Sequence, residues 1–390
     1  MQPTSVLATV TGRDRPGITA ALFAALAAHD VDVRDVEQVV IRDRLLLAVL
    51  VDLRGDVAAL RNSMTSAAAA FEMECDVVTV DEPNWHEPAG DRHHVIVLGH
   101  PLRPGALSHV AQRIADIDDN IESVLQLSTE PATSVELIVR SKDPMRLREV
   151  LVQASDETGV DIAVEPAGWQ RRAKRLVVLD VDSTLIQDEA IDLLAERAGV
   201  SDKVADITDR AMSGQLDFAA SLRERVSLLA GLPESDVLAV RDQLRLTPGA
   251  RTFVRTLHRL GYHVGIVSGS FTVLTDRFVD ELELDFAAAN TLEIADGHVT
   301  GNVLGDIVDR PGKAAALERF AAQFGVPLSQ TVAVGDGAND IDMLEVAGLG
   351  IAFNAKSALR AAADASVNLP YLDTILFVLG IPRDEVDDGS

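Results

Sequence analysis

The sequence predicts an α/β protein with two small α+β domains followed by a larger domain built on a doubly wound, mainly parallel sheet. Three observations lead to this prediction. The first half of the chain repeats itself with an offset of 88 residues. The second half alternates short apolar strands with helical stretches, as doubly wound sheets do. A long helical insertion interrupts that alternation after its first strand.

The repeat is marked by Arg15-Pro16-Gly17 and Arg103-Pro104-Gly105, each of which follows an apolar stretch and opens a helix. Both copies continue with two strands, a helix and a final strand, so that each has the order β-α-β-β-α-β. That order indicates a ferredoxin-like unit. The strands predicted after the first helix span residues 36–41, 45–53 and 77–80 in the first copy, and 121–127, 134–139 and 162–164 in the second.

The second half begins with an apolar strand at 176–179, and further strands are predicted at 263–267, 285–288, 331–335 and 349–353. Helices are predicted at 249–260, 271–280, 313–324 and 339–347. Asp296-Gly297 predicts a hairpin turn between strands at 291–294 and 298–303. The insertion reads as a helical cap at about 188–246. Its first helix covers 190–198, with Asp188 as a possible N-cap and Gly199 as a stop signal.

The predicted domains span residues 1–83, 91–168 and 174–380. Pro and Gly residues with polar neighbours mark the first joint, and residues 166–175 mark the second. The second joint contains the basic run Arg171-Arg172-Ala173-Lys174-Arg175. Such a short charged run before a strand predicts a solvated linker.

The net charge of −26, from 35 basic and 61 acidic residues, disfavours nucleic acid or an anionic membrane as a partner. The single Cys75 excludes an internal disulfide. The sequence has no apolar run long enough to span a bilayer and no signal-like start. We therefore expect a cytoplasmic protein.

Asp180 and Asp182 directly follow the strand at 176–179. Ligand chemistry in α/β sheets lies at the carboxyl ends of strands, and residues i and i+2 of an extended segment point the same way. The pair therefore suits a nucleophile beside a general acid/base. The structural alternative is a polar strand end that leads into a helix, where Asp and Ser are common caps.

Other predicted strands also end in polar residues. Asp336, Asn339 and Asp340 follow 331–335, and carboxylates without a His or Cys cluster favour Mg²⁺. Ser268-Gly269 follows 263–267 and could hold phosphoryl oxygens, although Ser-Gly is often only a turn. Lys313 opens a helix, where a solvated surface charge is the common alternative.

This ordered set of motifs resembles the haloacid dehalogenase superfamily of aspartate-nucleophile phosphatases over residues 174–375. The resemblance implies that Asp180 is the nucleophile and that Asp182 gives and takes the proton. It implies Mg²⁺ held by Asp180, the Asp182 carbonyl and Asp336, with Asp340 and Asn339 ordering the ligands. Lys313, Ser268 and Gly269 would bind the phosphoryl group, as would Asn339.

Residues of the cap resemble those of the phosphoserine phosphatases within that superfamily. By this resemblance Glu189 binds the substrate ammonium and Arg225 its carboxylate, while Met212 and Phe218 form an apolar cover. Arg225 is preferred to Arg223, because alternate positions on a helix point in different directions. The expected substrate is O-phospho-L-serine, in the last step of serine biosynthesis.

Alternatives remain open at this point. Glu189 also suits a helix N-terminus, and both arginines suit a solvated helix face. The substrate could be another small phosphate such as phosphohomoserine, hydrolysed or transferred. A non-catalytic amino-acid sensor would not need every reactive position that this sequence keeps, and an ion pump would need transmembrane helices.

The repeated units, with a Pro-Gly helix start after the first strand, resemble ACT domains, which often bind amino acids between paired copies. The resemblance implies L-serine as an effector and a homodimer. Gly17 and Gly105 would present backbone N–H groups to the effector carboxylate, and Asp14 would take its amine. The second copy has Leu102 in place of Asp14. Pro at a first helical position also has an ordinary structural explanation.

Overall fold

The computed structural model describes residues 3–80, 90–168, 171, 173–212, 216–387 and 389, and of Met212 only the backbone. The chain forms two compact units, Met1–Pro88 and Ala89–Ser390. The first unit contains the first repeat copy. The second unit contains both the second copy and the α/β domain. In the described part of the chain no helix is both long enough and apolar enough to cross a membrane.

The first unit has the predicted order β-α-β-β-α-β. Its antiparallel sheet runs β2-β3-β1-β4. Both helices bury one apolar face against this sheet, through Leu22, Leu26, Leu60 and Met64. The elements are β1 (Thr4–Arg13), α1 (Ile18–Ala27), β2 (Val31–Ile41), β3 (Arg44–Leu53), α2 (Val57–Ala69) and β4 (Glu74–Thr79).

The second copy repeats this order, which confirms two ferredoxin-like α+β domains. Val110, Ile114, Leu147 and Leu151 are the buried helix positions that cover its sheet. The elements are β5 (Asp91–Gly99), α3 (Pro104–Ala115), β6 (Asn120–Ser128), β7 (Thr133–Ser141), α4 (Pro144–Thr158) and β8 (Asp161–Pro166).

The α/β domain contains the predicted mainly parallel sheet and the helical cap. The cap helices are α5 (Ala190–Ala198), α6 (Ser201–Met212), α7 (Phe218–Ser227) and α8 (Glu234–Gln243). The strands are β9 (Leu176–Leu179), β10 (His263–Phe271), β11 (Phe286–Ala295), β12 (His298–Leu304), β13 (Thr331–Gly335), β14 (Gly350–Phe353) and β15 (Ala365–Val367). The remaining helices are α9 (Ala250–Arg259), α10 (Thr272–Leu282), α11 (Arg310–Gln323), α12 (Ile341–Val346), α13 (Ser357–Ala362) and α14 (Ile375–Val378).

Strand β9 lies at the centre of this domain, paired in parallel with β10 on one side and β13 on the other. All four of its residues, Leu176–Leu179, are fully buried because apolar clusters cover both faces of the sheet. Parallel strands end at the same edge, so the residues that follow β9, β10 and β13 come together there.

Two differences from the prediction concern the sheet. The strands expected at 285–288 and 291–294 are one strand, β11, which continues into the confirmed hairpin at Asp296-Gly297. Strand β15 was not predicted. It pairs antiparallel with β8 through Ala365 and Ala163, so that eleven strands form one sheet, β12-β11-β10-β9-β13-β14-β15-β8-β5-β7-β6.

The joint before β9 is not the solvated linker that we expected. Lys174 is buried, and its Nζ donates to the carbonyls of Ser329 (3.1 Å) and Gly348 (2.8 Å). Arg171 forms ion pairs with Glu136 (2.9 Å) and Glu165 (3.0 Å) of the second copy. The prediction was wrong because the sequence does not show whether a Lys or Arg side chain lies in solvent or is buried with hydrogen-bond and ion-pair partners. Arg172 lies outside the described residues.

Candidate active site

Asp180 lies at the carboxyl end of β9, where its backbone N–H donates to the Val334 carbonyl. Its side chain is buried, and Oδ1 accepts from the Val181 N–H (2.7 Å) and from Lys313 Nζ (2.7 Å). Neither of these contacts uses Oδ2. Burial and the neighbouring charge of Asp340 raise the pKa of Asp180 well above its ordinary value, while Lys313 opposes the rise.

Lys313 lies in the first turn of α11 and is completely buried. Its Nζ bridges Asp180 and Asp340, at 2.7 Å from one oxygen of each. Burial alone would favour a neutral amine, but the two carboxylates raise the pKa of Lys313 and keep it charged. The ammonium thus neutralises part of an otherwise acidic cluster.

One carboxylate oxygen each of Asp180, Asp336 and Asp340 lies within 4.8 Å of the others. Oxygen ligands of this kind fit Mg²⁺. Asp340 is the least available of the three for binding a metal ion, because both of its carboxylate oxygens already accept hydrogen bonds. Oδ1 accepts from Lys313 (2.7 Å) and Oδ2 from the Gly337 N–H (3.1 Å). Burial, followed by the charge of Asp340, raises the pKa of Asp336 to about 7.

Asp182 lies two residues beyond Asp180, in a tight turn whose Ser183 has φ of 55°. Its Oδ1 accepts from the N–H of Ala190 (2.9 Å), the first residue of α5. Burial and the charge of Glu189 raise the pKa of Asp182 to about 7, while the hydrogen bond from the Ala190 N–H and the charge of Lys313 oppose the rise. A carboxyl with this pKa can both donate and accept a proton near neutrality.

Ser268 and Gly269 lie within the carboxyl-terminal part of β10. The Ser268 Oγ accepts from the Ser270 N–H (2.9 Å), which holds the turn, and the side chain is completely buried. Gly269 lines the pocket. A Cβ at this position would come within 2.8 Å of the Phe218 ring, so the glycine allows the cap to approach the sheet.

Cap and sheet enclose a pocket of about 340 Å³. Eight predicted site residues line it: Asp180, Asp182, Glu189, Phe218, Arg225, Gly269, Asp336 and Asn339. Three others, Ser268, Lys313 and Asp340, are completely buried. The side chain of Met212 lies outside the described residues.

Glu189 and Arg225 contribute opposite charges to the pocket wall. Ser183 Oγ donates to Glu189 Oε1 (2.8 Å). Arg225 is half-buried on α7, and burial lowers its pKa while nearby acids oppose that shift. Arg223, on the same helix, is exposed.

Asp188 is not the N-cap of α5 that we predicted. The carboxylate of Asp188 accepts from the backbone and side chain of Arg245 instead, and Glu189 occupies the N-cap position. The Asp182 carboxylate takes the first free N–H of the helix. A tertiary partner therefore replaced the local cap.

Comparison with known proteins agrees with this geometry. Residues 177–345 match the model of the haloacid dehalogenase-like hydrolases, and residues 4–78 and 91–165 each match a model of the ACT domain. A phosphoserine phosphatase of Streptomyces coelicolor is 54% identical over 98% of this chain and 94% of its own length. The chain belongs to the phosphoserine phosphatase family.

Two further phosphoserine phosphatases are similar to this chain, one over nearly its whole length and one over about half of it. Phosphoserine phosphatase SerB2 of Mycobacterium tuberculosis is 52% identical over 98% of this chain and 95% of its own length. A solved structure of a phospho-aspartyl intermediate analogue of phosphoserine phosphatase is 43% identical. It covers 53% of this chain and 98% of its own, with a TM-score of 0.51.

Several residues of the site were missed in the sequence analysis. Among them, Ser183 donates to Glu189, and Ser270 and Lys356 line the pocket. A signal for Lys356 was available, since it follows β14 and therefore lies at the same sheet edge as the recognised motifs. Ser183 and Ser270 gave none, because a hydroxyl in a turn is common.

The predicted effector residues lie in the ACT domains and have different surroundings. Gly17 precedes α1 with φ of 91°, which favours glycine, whereas Gly105 lies inside the first turn of α3. Asp14 is exposed, and its backbone N–H donates to the Asp43 carbonyl. Gly105 lines a shallow pocket with Arg103 and Thr158. The two copies thus present different loops.

Proposed function

We propose that the chain hydrolyses O-phospho-L-serine to L-serine and phosphate through a phosphoaspartyl intermediate on Asp180. One observation carries the proposal. A single pocket contains a buried Asp180, with Asp182 close by, and also presents Glu189 and Arg225 from the cap. Phosphoserine carries an ammonium and a carboxylate besides its phosphate, so Glu189 and Arg225 give these two groups partners of opposite charge in that pocket.

In the first half-reaction an oxygen of Asp180 attacks phosphorus. The P–O bond to Asp180 forms while the bond between phosphorus and the seryl oxygen breaks. Asp182 gives its proton to the departing oxygen, which leaves as the serine hydroxyl. A pKa of about 7 means that a substantial fraction of Asp182 holds that proton near neutrality.

In the second half-reaction Asp182 takes a proton from water, which attacks phosphorus and releases phosphate from Asp180. Lys313, Ser268 and the Gly269 N–H offset the charge of the phosphoryl oxygens, since positioning and electrostatics supply most of the catalysis in phosphoryl transfer. Mg²⁺ held by Asp180, Asp336 and the Asp182 carbonyl would neutralise phosphoryl charge. Asn339 and Asp340 position these groups.

The mechanism is tested by two substitutions. Asp180→Asn should abolish turnover and phosphoenzyme trapping, because the amide is a poor nucleophile. Asp182→Asn should keep the nucleophile but slow both half-reactions, by about a hundredfold or more. Removal of divalent metal should abolish activity, and Mg²⁺ should restore it. Substantial steady-state turnover by Asp180→Asn would refute the assignment of the nucleophile.

Substrate recognition is tested with Arg225→Ala and its matched control, Arg223→Ala, on the same helix. Loss of a charged hydrogen bond to the carboxylate should lower kcat/KM for L-phosphoserine by roughly ten- to a hundredfold. Arg223→Ala should change little, because that side chain is exposed. Phosphate release from L-phosphoserine should exceed that from phosphothreonine, phosphohomoserine and an aryl phosphate. No preference would remove the substrate assignment while leaving the reaction class.

Regulation by L-serine at the ACT domains is the second part of the proposal. The exposed Asp14 beside the Gly17 turn supports it, with a carboxylate for the amine and backbone N–H groups for the carboxylate. L-Serine should inhibit the full chain more strongly than it inhibits the Asp14→Ala variant or a chain without residues 1–88. In the absence of L-serine all three should have the same activity. Equal inhibition of all three would show that the first ACT domain has no part in inhibition by L-serine.

A homodimer is the third part. Strand β2 is an edge strand of the first unit, and it exposes apolar side chains along its length. Such an edge favours pairing with a second copy. Sedimentation should give twice the chain mass, and Val36→Lys with Val39→Lys should give a monomer. A monomeric wild-type protein would contradict this. The side chains concerned are Val33, Val36, Val39, Val40 and Ile41.

A further inference from the structure

Lys356 is a cation in the active-site pocket to which the mechanism above gives no task. It follows β14 and precedes α13, and its backbone N–H donates to the Asp336 carbonyl (3.3 Å). The preceding turn is fixed to β15, because the Asn354 N–H donates to the Val367 carbonyl (2.8 Å). Lys356 is therefore held at the sheet side of the pocket, beside a predicted metal ligand.

The charges that line the pocket show why this cation matters. Four acids face it, Asp180, Asp182, Glu189 and Asp336, against two cations among the described lining residues, Arg225 and Lys356. Lys313 does not line the pocket and is bonded to two carboxylates. The whole chain carries −26. A phosphate dianion thus approaches an acidic pocket in an acidic protein.

The two lining cations come from opposite walls. Arg225 comes from α7 of the cap, and Lys356 comes from the loop that follows β14 of the sheet. The nucleophile Asp180 also lies on the sheet side, so the phosphate of a bound substrate lies nearer the wall of Lys356. Resting on the function proposed above, we propose that Lys356 attracts and binds the substrate phosphate, while Arg225 binds the carboxylate.

This division of tasks can be measured with two substrates. O-Phospho-L-serine carries phosphate and carboxylate, whereas p-nitrophenyl phosphate carries only phosphate. Lys356→Ala should raise KM for both by a similar factor, roughly three- to tenfold, with kcat nearly unchanged. Inhibition by inorganic phosphate should weaken by the same factor. Arg225→Ala should impair phosphoserine hydrolysis selectively.

Salt and charge controls separate attraction from structure. The effect of Lys356→Ala should shrink as NaCl is raised, because salt screens exposed charges. Lys356→Arg should keep most of the wild-type KM. Lys142→Ala removes an exposed cation outside the pocket and should match the wild type. Lys356→Ala keeps the backbone N–H bonded to Asp336, so loss of that contact cannot explain the result.

Two outcomes would overturn the assignment. If Lys356→Ala behaved like Lys142→Ala with both substrates and with phosphate, Lys356 would have no part in binding. If it impaired phosphoserine alone, Lys356 would bind the carboxylate. If the wild type hydrolysed p-nitrophenyl phosphate but not O-phospho-L-serine, only the proposed substrate would be refuted. The effect of Lys356→Ala on the aryl ester would still decide the role of Lys356.

Discussion

The two ACT domains have one order of elements but different neighbours. The last strand of the first copy, β4, buries only Val77 of its six residues, whereas the last strand of the second copy, β8, buries five of six. The difference arises because β8 pairs with β15 of the catalytic sheet, while β4 is an edge of its own sheet. A repeat in sequence therefore gives one domain that is a unit by itself and one that is part of the catalytic unit.

Removal of each copy gives the largest test of this contrast. A chain of residues 90–390 should keep its fold and its phosphatase activity, since the second unit retains its whole sheet. A chain of residues 173–390 should aggregate or unfold, because it loses β8 and exposes the edge at β15. Soluble yield, circular dichroism and kcat would show the difference. If both chains had the same soluble yield, circular dichroism and kcat, the pairing of β8 with β15 would not be needed for the fold of the catalytic domain.

The pH dependence of stability should belong to the second unit. Asp182 and Asp336 have pKa values raised to about 7 in the folded state. Their stabilising effect is complete below the ordinary value of about 4 and is lost as pH rises through about 7. Metal-free protein should lose on the order of 5 kcal/mol between about pH 5 and pH 8, about half of it from each carboxyl.

The measurement is thermal unfolding of that unit with and without metal. Mg²⁺ should raise its Tm more at the higher pH, because bound metal favours ionised carboxylates. Asp336→Asn should flatten the pH dependence of the metal-free protein. A Tm of metal-free protein that rose with pH would contradict the assignment.

A buried acid of β8, Asp161, adds to the strand pairing between β8 and β15. Asp161 accepts from the N–H (2.8 Å) and Nδ2 (2.7 Å) of Asn368. Asp161→Ala should destabilise the second unit by about 2 kcal/mol and leave the first unit unchanged. The matched change is Asp52→Ala in the first unit, where Asp52 accepts from the buried Ser5 hydroxyl (3.0 Å). Asp52→Ala should lower the unfolding midpoint of the first unit only. If both variants unfolded in one shared transition, the chain would not consist of two independent units.

The smallest effect is expected at Arg148 of the second copy, which forms an ion pair with Asp364, the residue before β15 (3.2 Å). Both side chains are more than a third exposed. Arg148→Ala should cost less than about 1 kcal/mol by chemical denaturation. Arg146→Ala breaks the pair with Glu149 inside the second copy and serves as control. A larger loss of unfolding free energy for Arg148→Ala would show that this surface ion pair also stabilises the contact between the second copy and the catalytic sheet.

The sequence predicted most of the catalytic edge, because apolar strands that end in acids leave a local pattern. Asp180, Asp336 and Gly269 all meet where that pattern placed them. The joint could not be predicted in this way. Strand β15 has three residues and a single pair with β8, Ala365 to Ala163, some 200 residues away in sequence. No periodicity marks so short a strand.

Side-chain partners were also beyond the sequence. Lys174 appeared to be one cation in a basic run, yet two carbonyls bind it in the interior. Asp188 had the position of a helix cap but bonds Arg245. Both depend on which residues the fold brings near, whereas strand and helix patterns depend on neighbours along the chain.

The hydrogen bond from Ala190 N–H to Asp182 connects the first helix of the cap to the carboxyl that we propose as the general acid and base. An N–H bonds an ionised carboxylate more strongly than a neutral carboxyl. We therefore expect α5 to be held less firmly before Asp182 gives up its proton and more firmly while the phosphoryl group is on Asp180. Amide hydrogen exchange at Ala190 should slow as Asp182 ionises. An exchange rate that did not change with that ionisation would show the two events to be independent, whereas slowing would make this amide a direct reporter of where the catalytic proton resides.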